Sequence, residues 1–339
     1  MSPKTVPTAP DIAARDWLRV LAKYREPIEL RSVFEVAVTI VPLMAIWCAA
    51  WWALSISVFL SLAFSVVGAM FLVRMFLIQH DCGHGAFFKN REVNNWLGRA
   101  IGVLTLTPYD VWKHSHAIHH SGSGNLDKRG TGDIFTYTVN EYKALSPLAK
   151  LRYRAYRHPI TLFVIGPFYT FHLQQRLPVG FMKDGWRFWV SSMGTNVAMA
   201  LMAAGLIYLM GLSAFLWVYL PMTILASSIG VWLFYVQHQF EEAHWDQPED
   251  WDLHEAALHG SSHYVLPQPL RWLTANIGVH HIHHLYSRIP YYRLYDVLGE
   301  HPALDEVRRL TLMESFACVK LQLWDEASRK LVTFKEAAA

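Results

Sequence analysis

Four stretches of this chain run for about twenty residues with almost no charge, at 32–53, 55–79, 188–210 and 213–236. About 20 apolar residues at 1.5 Å rise cross a ~30 Å hydrocarbon core, and only helices satisfy their own backbone polar groups there. Only a residue or two separates the members of each pair, so the pattern predicts two tight helical hairpins. Of the 30 Lys and Arg, none lies in a hairpin turn and only Arg74 lies within a span. The positive-inside rule then places the N-terminal arm, the 80–187 connection and everything after His238 on the cytoplasmic side. The predicted fold class is all-α: an integral membrane protein with four transmembrane helices in two hairpins under a cytoplasmic helical cap. Its parts are an arm over 1–31, a membrane domain over 32–310 with cap segments 80–187 and 237–310, and a tail over 311–339.

Finer patterning fills in the rest. Trp17, Val20, Leu21 and Tyr24 recur at helical spacing, which predicts an amphipathic helix over 12–24, lying on the membrane or packed as an ordinary surface helix. The stretches 96–107 and 159–177 are apolar but short or interrupted, and read as interfacial or re-entrant helices. Glu35 and Arg74 sit near the ends of their spans and are expected to snorkel to the interface. The tail reads as helix with a hairpin near 325–329.

Composition agrees with a lipid environment: 53% of residues are hydrophobic and 17% charged, against roughly 25% charged in soluble chains. A net charge of +3 without a basic run excludes nucleic acid as the expected partner. The polar, Pro-rich start is not that of a secretory signal. Cys48, Cys82 and Cys318 form neither a disulfide framework nor a CxxC pair.

Histidine changes the picture, with 18 residues, most of them clustered. The first cluster is His80-Asp81-Cys82-Gly83-His84. The second runs His114-Ser115-His116-Ala117-Ile118-His119-His120, and the third is His280-His281-Ile282-His283-His284. Residues at i, i+3 and i+4 share a helix face, so His80 with His84, His116 with His119 and His120, and His280 with His283 and His284 can each aim at one point. An HxxxH is expected by chance roughly once in such a chain, but two separate HxxHH on the order of 0.001 times. The first cluster begins where the second span ends, which lets all three meet at one membrane face. Eight imidazoles exceed the four that close a zinc site, and imidazole also suits Fe, Cu and Ni. A histidine-rich metal pair at a membrane surface points to oxygen chemistry on a lipid-soluble substrate. His238, at the end of the fourth span, is a further candidate ligand. Asp81 is expected to hydrogen-bond a ligand histidine, and His114, on another helix face, to support the ligands. Tyr109 and Trp112, with Phe135 and Tyr137, are candidate pocket residues.

At these residues the chain resembles the membrane fatty-acid desaturase superfamily, and more narrowly its acyl-lipid Δ12/omega-6 branch. The resemblance rests on the three histidine clusters, on Pro108-Tyr109 and Trp112-Lys113 before the second, and on Gly278-Val279 and Ile289-Pro290 around the third. It spans roughly residues 30–310. It implies a non-haem di-iron centre held by His80, His84, His116, His119, His120, His280, His283 and His284, with His238 matching the extra histidine after the last span. It also implies O2-dependent insertion of a cis double bond into a membrane-lipid acyl chain. Acyl-CoA desaturases carry an Asn one turn before that extra histidine; here the residue is Phe234, so the role is not transferred. Neither His158-Pro159 nor His301-Pro302 continues into a haem-binding Gly-Gly, so electrons are expected from a separate ferredoxin-like or cytochrome partner with its reductase. The basic loop residues Lys150, Arg152, Arg154 and Arg157 could dock that donor or anionic headgroups. A hydroxylase, acetylenase, carotenoid oxygenase or alkane monooxygenase would share the site. A metal transporter would instead place ligands inside its spans, and these spans hold no histidine.

Overall fold

The computed structural model describes residues 13–305 and 307–338. Four helices in it are long and apolar enough to cross a membrane: Glu29–Ala53, Val58–His84, Trp186–Met210 and Leu212–His238. Three contain their predicted span whole; the second starts at Val58 rather than at 55 and runs on to His84. The Ser57 side chain caps the second helix by accepting from the Phe59 N–H at 3.2 Å. That helix stops immediately after His84, where Gly85 adopts φ +66°, a left-handed conformation that an L side chain resists.

The second helix is the centre of the bundle and the third its outer wall. The most apolar stretch of the second is 56% buried, while that of the third has no buried residue. Apart from Phe188 and Ser192 near its start, which are buried, the third helix is hydrophobic all round and has the composition of a lipid-facing element. Gly68 admits the close approach of the fourth helix, since a Cβ there would overlap the Met222 side chain.

Two amphipathic segments connect the hairpins. Arg91–Leu104 is capped by Asn90, whose Oδ1 accepts from the Glu92 N–H at 2.8 Å. It buries Gly98, Ile101 and Gly102 and leaves Trp96 exposed. The helical segment over 161–176 has two π-wound stretches and runs beside the fourth helix. His172 Nε2 lies 3.1 Å from Thr223 Oγ1, about 22 Å along the helix below His238 at 1.5 Å per residue.

Snorkelling and a purely helical cap need correction, and of the two alternatives for the N-terminal helix the packed one is found. Glu35 and Arg74 do not snorkel: both are 1% exposed and pair with each other across the first two helices. The N-terminal helix, Trp17–Leu21 with a 3₁₀ turn over Ala22–Tyr24, does not lie free for a membrane surface. Trp17, Leu21 and Tyr24 are buried, with the Trp17 and Tyr24 rings against His301. Ile12 lies outside the described residues. The cap is also not purely helical. Among the described residues, His263–Val265 pairs in parallel with Arg309–Thr311, and Leu323–Asp325 forms an antiparallel hairpin with Lys330–Val332. The tail is thereby folded onto the cap, with Trp324 buried and its N–H donating to the Tyr137 carbonyl at 3.0 Å.

Candidate metal centre

Two further helices converge on the cap ends of the second and fourth long helices. His80 and His84 occupy the last turn of Val58–His84, and His238 ends Leu212–His238. The helix Tyr109–Gly122 brings His116, His119 and His120, and His280–Leu285 brings His280, His283 and His284.

The nine imidazoles divide into two groups. Potential ligand nitrogens of His80, His84, His116, His120 and His283 lie within 4.8 Å of one another, as do those of His119, His238 and His284. His280 joins the second group, its Nε2 being 3.0 Å from His238 Nε2. The HxxHH clusters thus do not aim at one point. In each, the two adjacent histidines part: His120 and His283 face the first group, His119 and His284 the second. Neighbouring residues on a helix project about 100° apart, so a doubled histidine can serve two centres at once.

The donor chemistry fits metal ions in both groups. His116 Nε2 is 3.1 Å from both His84 Nε2 and His120 Nε2, and His120 Nε2 is 3.1 Å from His283 Nε2. An imidazole nitrogen that carries a proton has no lone pair left to accept with. Such a run of nitrogens therefore cannot satisfy itself with ordinary hydrogen bonds, whereas lone pairs converging on a cation can be satisfied together. In the second group His284 Nε2 is buried without a partner among the described residues. Burial also pushes His116, His119, His120, His280, His283 and His284 well below the usual imidazole range, which keeps them in the neutral, metal-binding form.

Other predicted residues take varied places. Asp81 Oδ1 is 3.3 Å from His80 Nδ1, and its Oδ2 accepts from the Tyr291 N–H at 2.7 Å. His114 turns away from both groups and packs against Phe181 and Phe188. His281 is held by the Leu304 carbonyl, 2.9 Å from its Nε2, and burial lowers it to about 3. Trp112 stacks on His116 with centroids 4.8 Å apart. Tyr109 is buried beneath Gly98, and its hydroxyl donates to the Cys82 carbonyl at 2.9 Å; it supports the first cluster rather than lining a pocket. Phe135 and Tyr137 pack around Tyr153, away from the histidines.

A cavity of about 740 Å³ opens against the first and second groups, reaching His80, His116 and His280. Trp112, Phe234 and residues of the second and fourth long helices line it, and the 161–176 segment forms its wall. The Phe234 ring lies 5.0 Å from both His119 and His238. Sequence reasoning set Phe234 aside as a missing Asn, although its place one turn before His238 marked it as a neighbour of the site.

The basic loop reads differently in three dimensions. Arg157 is 1% exposed and donates to Gln239 Oε1 at 2.8 Å and to the Leu321 carbonyl at 2.8 Å. Arg154 donates to the Tyr142 hydroxyl at 2.7 Å. Lys150 is half-buried, its Nζ donating to the Lys143 carbonyl at 2.9 Å, and Arg152 remains exposed.

Two histidine groups facing a mostly apolar cavity, beside long apolar helices, are an arrangement suited to a metal centre working on an apolar substrate. A sequence profile of the fatty acid desaturase family matches residues 57–313, and the chain belongs to that family. A fatty acid desaturase of Bacillus subtilis (strain 168) is 44% identical over 317 residues, 93% of this chain and 89% of that protein. The sn-1 acyl-lipid omega-3 desaturase (ferredoxin) of Synechocystis is 29% identical over 65% of this chain. Its sn-1 oleoyl-lipid 12-desaturase is 27% identical over 66%. The aligned parts amount to 61% and 63% of those two cyanobacterial proteins.

Proposed function

We propose that the protein inserts a cis double bond into the acyl chain of a membrane lipid, at the Δ12/omega-6 position. The observation that carries this reading is the mostly apolar cavity that ends on His80, His116 and His280. The five-histidine and four-histidine groups would each hold one iron ion. Bound iron supplies the O2-dependent removal of hydrogen from unactivated methylenes, for which side chains have no acid–base handle. The balance is one CH2–CH2 pair, O2, two electrons and two protons giving one CH=CH and two waters. The protein's own work is to hold the acyl chain against the histidines and to exclude bulk water. Trp112 and Phe234 form the walls closest to the reacting carbons.

Electrons come from an external ferredoxin-like or cytochrome donor with its reductase, in line with the ferredoxin-dependent cyanobacterial relatives. Arg25, Lys89 and Arg288, with Glu26 paired to Arg25, line a cleft of about 270 Å³ whose wall includes Gly85, the residue after His84, and its excess of cations supports an acidic donor docking there. The distribution of Lys and Arg supports both termini and the site lying on the cytoplasmic side of a bacterial inner membrane.

The test is expression in bacteria that make only monounsaturated fatty acids, with a ferredoxin co-expressed and total fatty acids read by gas chromatography and mass spectrometry. The expected product is a dienoic acid whose fragmentation places the new bond at Δ12, lost in His283→Ala. A hydroxy acid instead would reassign the site to hydroxylation. An unchanged profile from iron-loaded protein would overturn the acyl-chain reading.

A further inference from the structure

A band of buried charge lies between the long helices and the first histidine group. Glu35 on the first helix and Arg74 on the second are an ion pair, each 1% exposed. Arg74 Nε also donates to Thr39 Oγ1 at 3.1 Å, and Nη1 to the Trp272 carbonyl. The guanidinium lies 4.0 Å from the centroid of the Trp272 ring. Glu35 Oε2 accepts from the Tyr291 hydroxyl at 3.0 Å, while Oε1 accepts from Arg31 Nε at 2.8 Å. The Tyr291 backbone N–H donates to Asp81 Oδ2, and Asp81 Oδ1 faces His80 Nδ1. The contacts therefore run without a gap from the ion pair to an imidazole of the first group.

Stability alone gives no reason for such a pair. Burying two charges is costly, and a well-packed apolar substitute is often as stable. What the pair supplies is a fixed position. Tyr291 touches both ends of the chain, with its hydroxyl on Glu35 and its N–H on Asp81, and its ring lies against Phe87. Holding the hydroxyl holds the N–H, and through it the carboxylate that orients His80. Partners of this kind fix the tautomer and direction of a metal-binding imidazole, and their loss typically lowers metal affinity 10–100-fold.

We infer that Glu35, Arg74 and Tyr291 are positioning residues for the metal centre: they hold Asp81 against His80 Nδ1 and so aim His80 Nε2 into the five-histidine group. The inference rests on the reading that this group binds metal, and the experiment separates the two. Full-length protein in detergent is stripped of metal and titrated with Co(II), whose visible absorption reports ligand number and geometry. Wild type is expected to take up two ions per chain. Tyr291→Phe, which removes one oxygen and leaves the backbone donor, is expected to weaken one of the two ions about tenfold. The other ion's affinity and spectrum, and the melting temperature, stay close to wild type. Glu35→Gln should weaken the same ion further, and Arg74→Lys, which keeps the charge, less than Arg74→Gln. Wild-type affinity for both ions in Tyr291→Phe and Glu35→Gln overturns the inference while leaving the metal site standing. Equal loss of both ions together with the melting temperature shows a purely structural role and also overturns it. A wild type that takes up no Co(II) overturns the metal reading itself, and this inference with it.

Discussion

Asp133 lines the same cavity as His80 and His116, and its carboxylate accepts from the Gly130 N–H at 2.7 Å. Burial pushes its carboxyl up to about 6 from an ordinary 3.8, against the opposing pull of that N–H and of Arg129. The folded chain therefore holds this proton more tightly than the unfolded one. Its contribution is favourable at low pH and is lost as pH rises from about 4 through about 6; at neutral pH the buried carboxylate is a cost. At 1.36 kcal/mol per pKa unit the cost approaches ~3 kcal/mol, and the side chain's remaining contact with solvent brings it nearer ~1–2. Asn keeps the acceptor oxygen without the charge. Asp133→Asn should raise the melting temperature at pH 8 and leave it nearly unchanged at pH 4, as read by thermal melts in detergent. A gain of equal size at both pH values would assign the effect to packing.

At the scale of an element, the fourth long helix presents a face to the cavity that includes Thr223, Ser227 and Gly230. Thr223 and Ser227 turn their hydroxyls back to the Leu220 and Ile224 carbonyls, at 3.0 and 2.8 Å, so they show the cavity mainly carbon. Gly230 has no close neighbour that needs its smallness, since a Cβ there would meet nothing within 4 Å. A glycine inside a helix costs about 1 kcal/mol relative to alanine, and here what it leaves open is cavity. It stands eight residues before His238, about 12 Å along the helix, while Thr223 stands about 22 Å away. Gly230→Leu should therefore close the deeper part of the cavity. Turnover of long acyl chains is expected to fall about 10-fold or more, with shorter chains spared, because a methylene in an apolar pocket is worth ~1–3 kcal/mol. Feeding mixed chain lengths and comparing products by gas chromatography checks this, with iron content as the control. A uniform loss across chain lengths would count against a role in length selection.

Across the whole molecule, what could be read from the sequence was what depends on neighbours in the chain. Apolar runs of about twenty residues located all four long helices, and the i, i+3, i+4 spacing singled out the histidines that the fold brings together. The division into two groups was hidden because it depends on three helices meeting: His84 touches His116, and His120 touches His283 from 163 residues away. Arg74 read as a snorkelling charge because its partner Glu35 is 39 residues away on another helix. Arg157 read as part of a solvated basic loop because its neighbours in sequence are basic, while its partners are distant. Its guanidinium donates to the Phe135 carbonyl and Thr136 Oγ1 at 3.2 and 3.1 Å, to the Tyr235 hydroxyl at 3.3 Å, and to Gln239 and the tail carbonyl of Leu321. The connection, the end of the fourth helix beside His238 and the tail are thus joined through one planar cation whose acceptors include no carboxylate. Removing it takes charge-assisted bonds worth about 1.5–3 kcal/mol each from these groups, although Gln239 Oε1 and the Leu321 carbonyl keep the Thr136 and Tyr235 hydroxyls as partners. Arg157→Ala should lower stability by at least ~3 kcal/mol and release the tail to limited proteolysis. Arg157→Lys should rescue little, because an ammonium cannot reproduce the fork that spans these acceptors. Arg152→Ala, on an exposed side chain, should change stability by less than ~0.5 kcal/mol. Melting curves and the time course of tail cleavage decide it: if Arg157→Ala behaves like Arg152→Ala, the tail is held by the Trp324 and strand contacts alone.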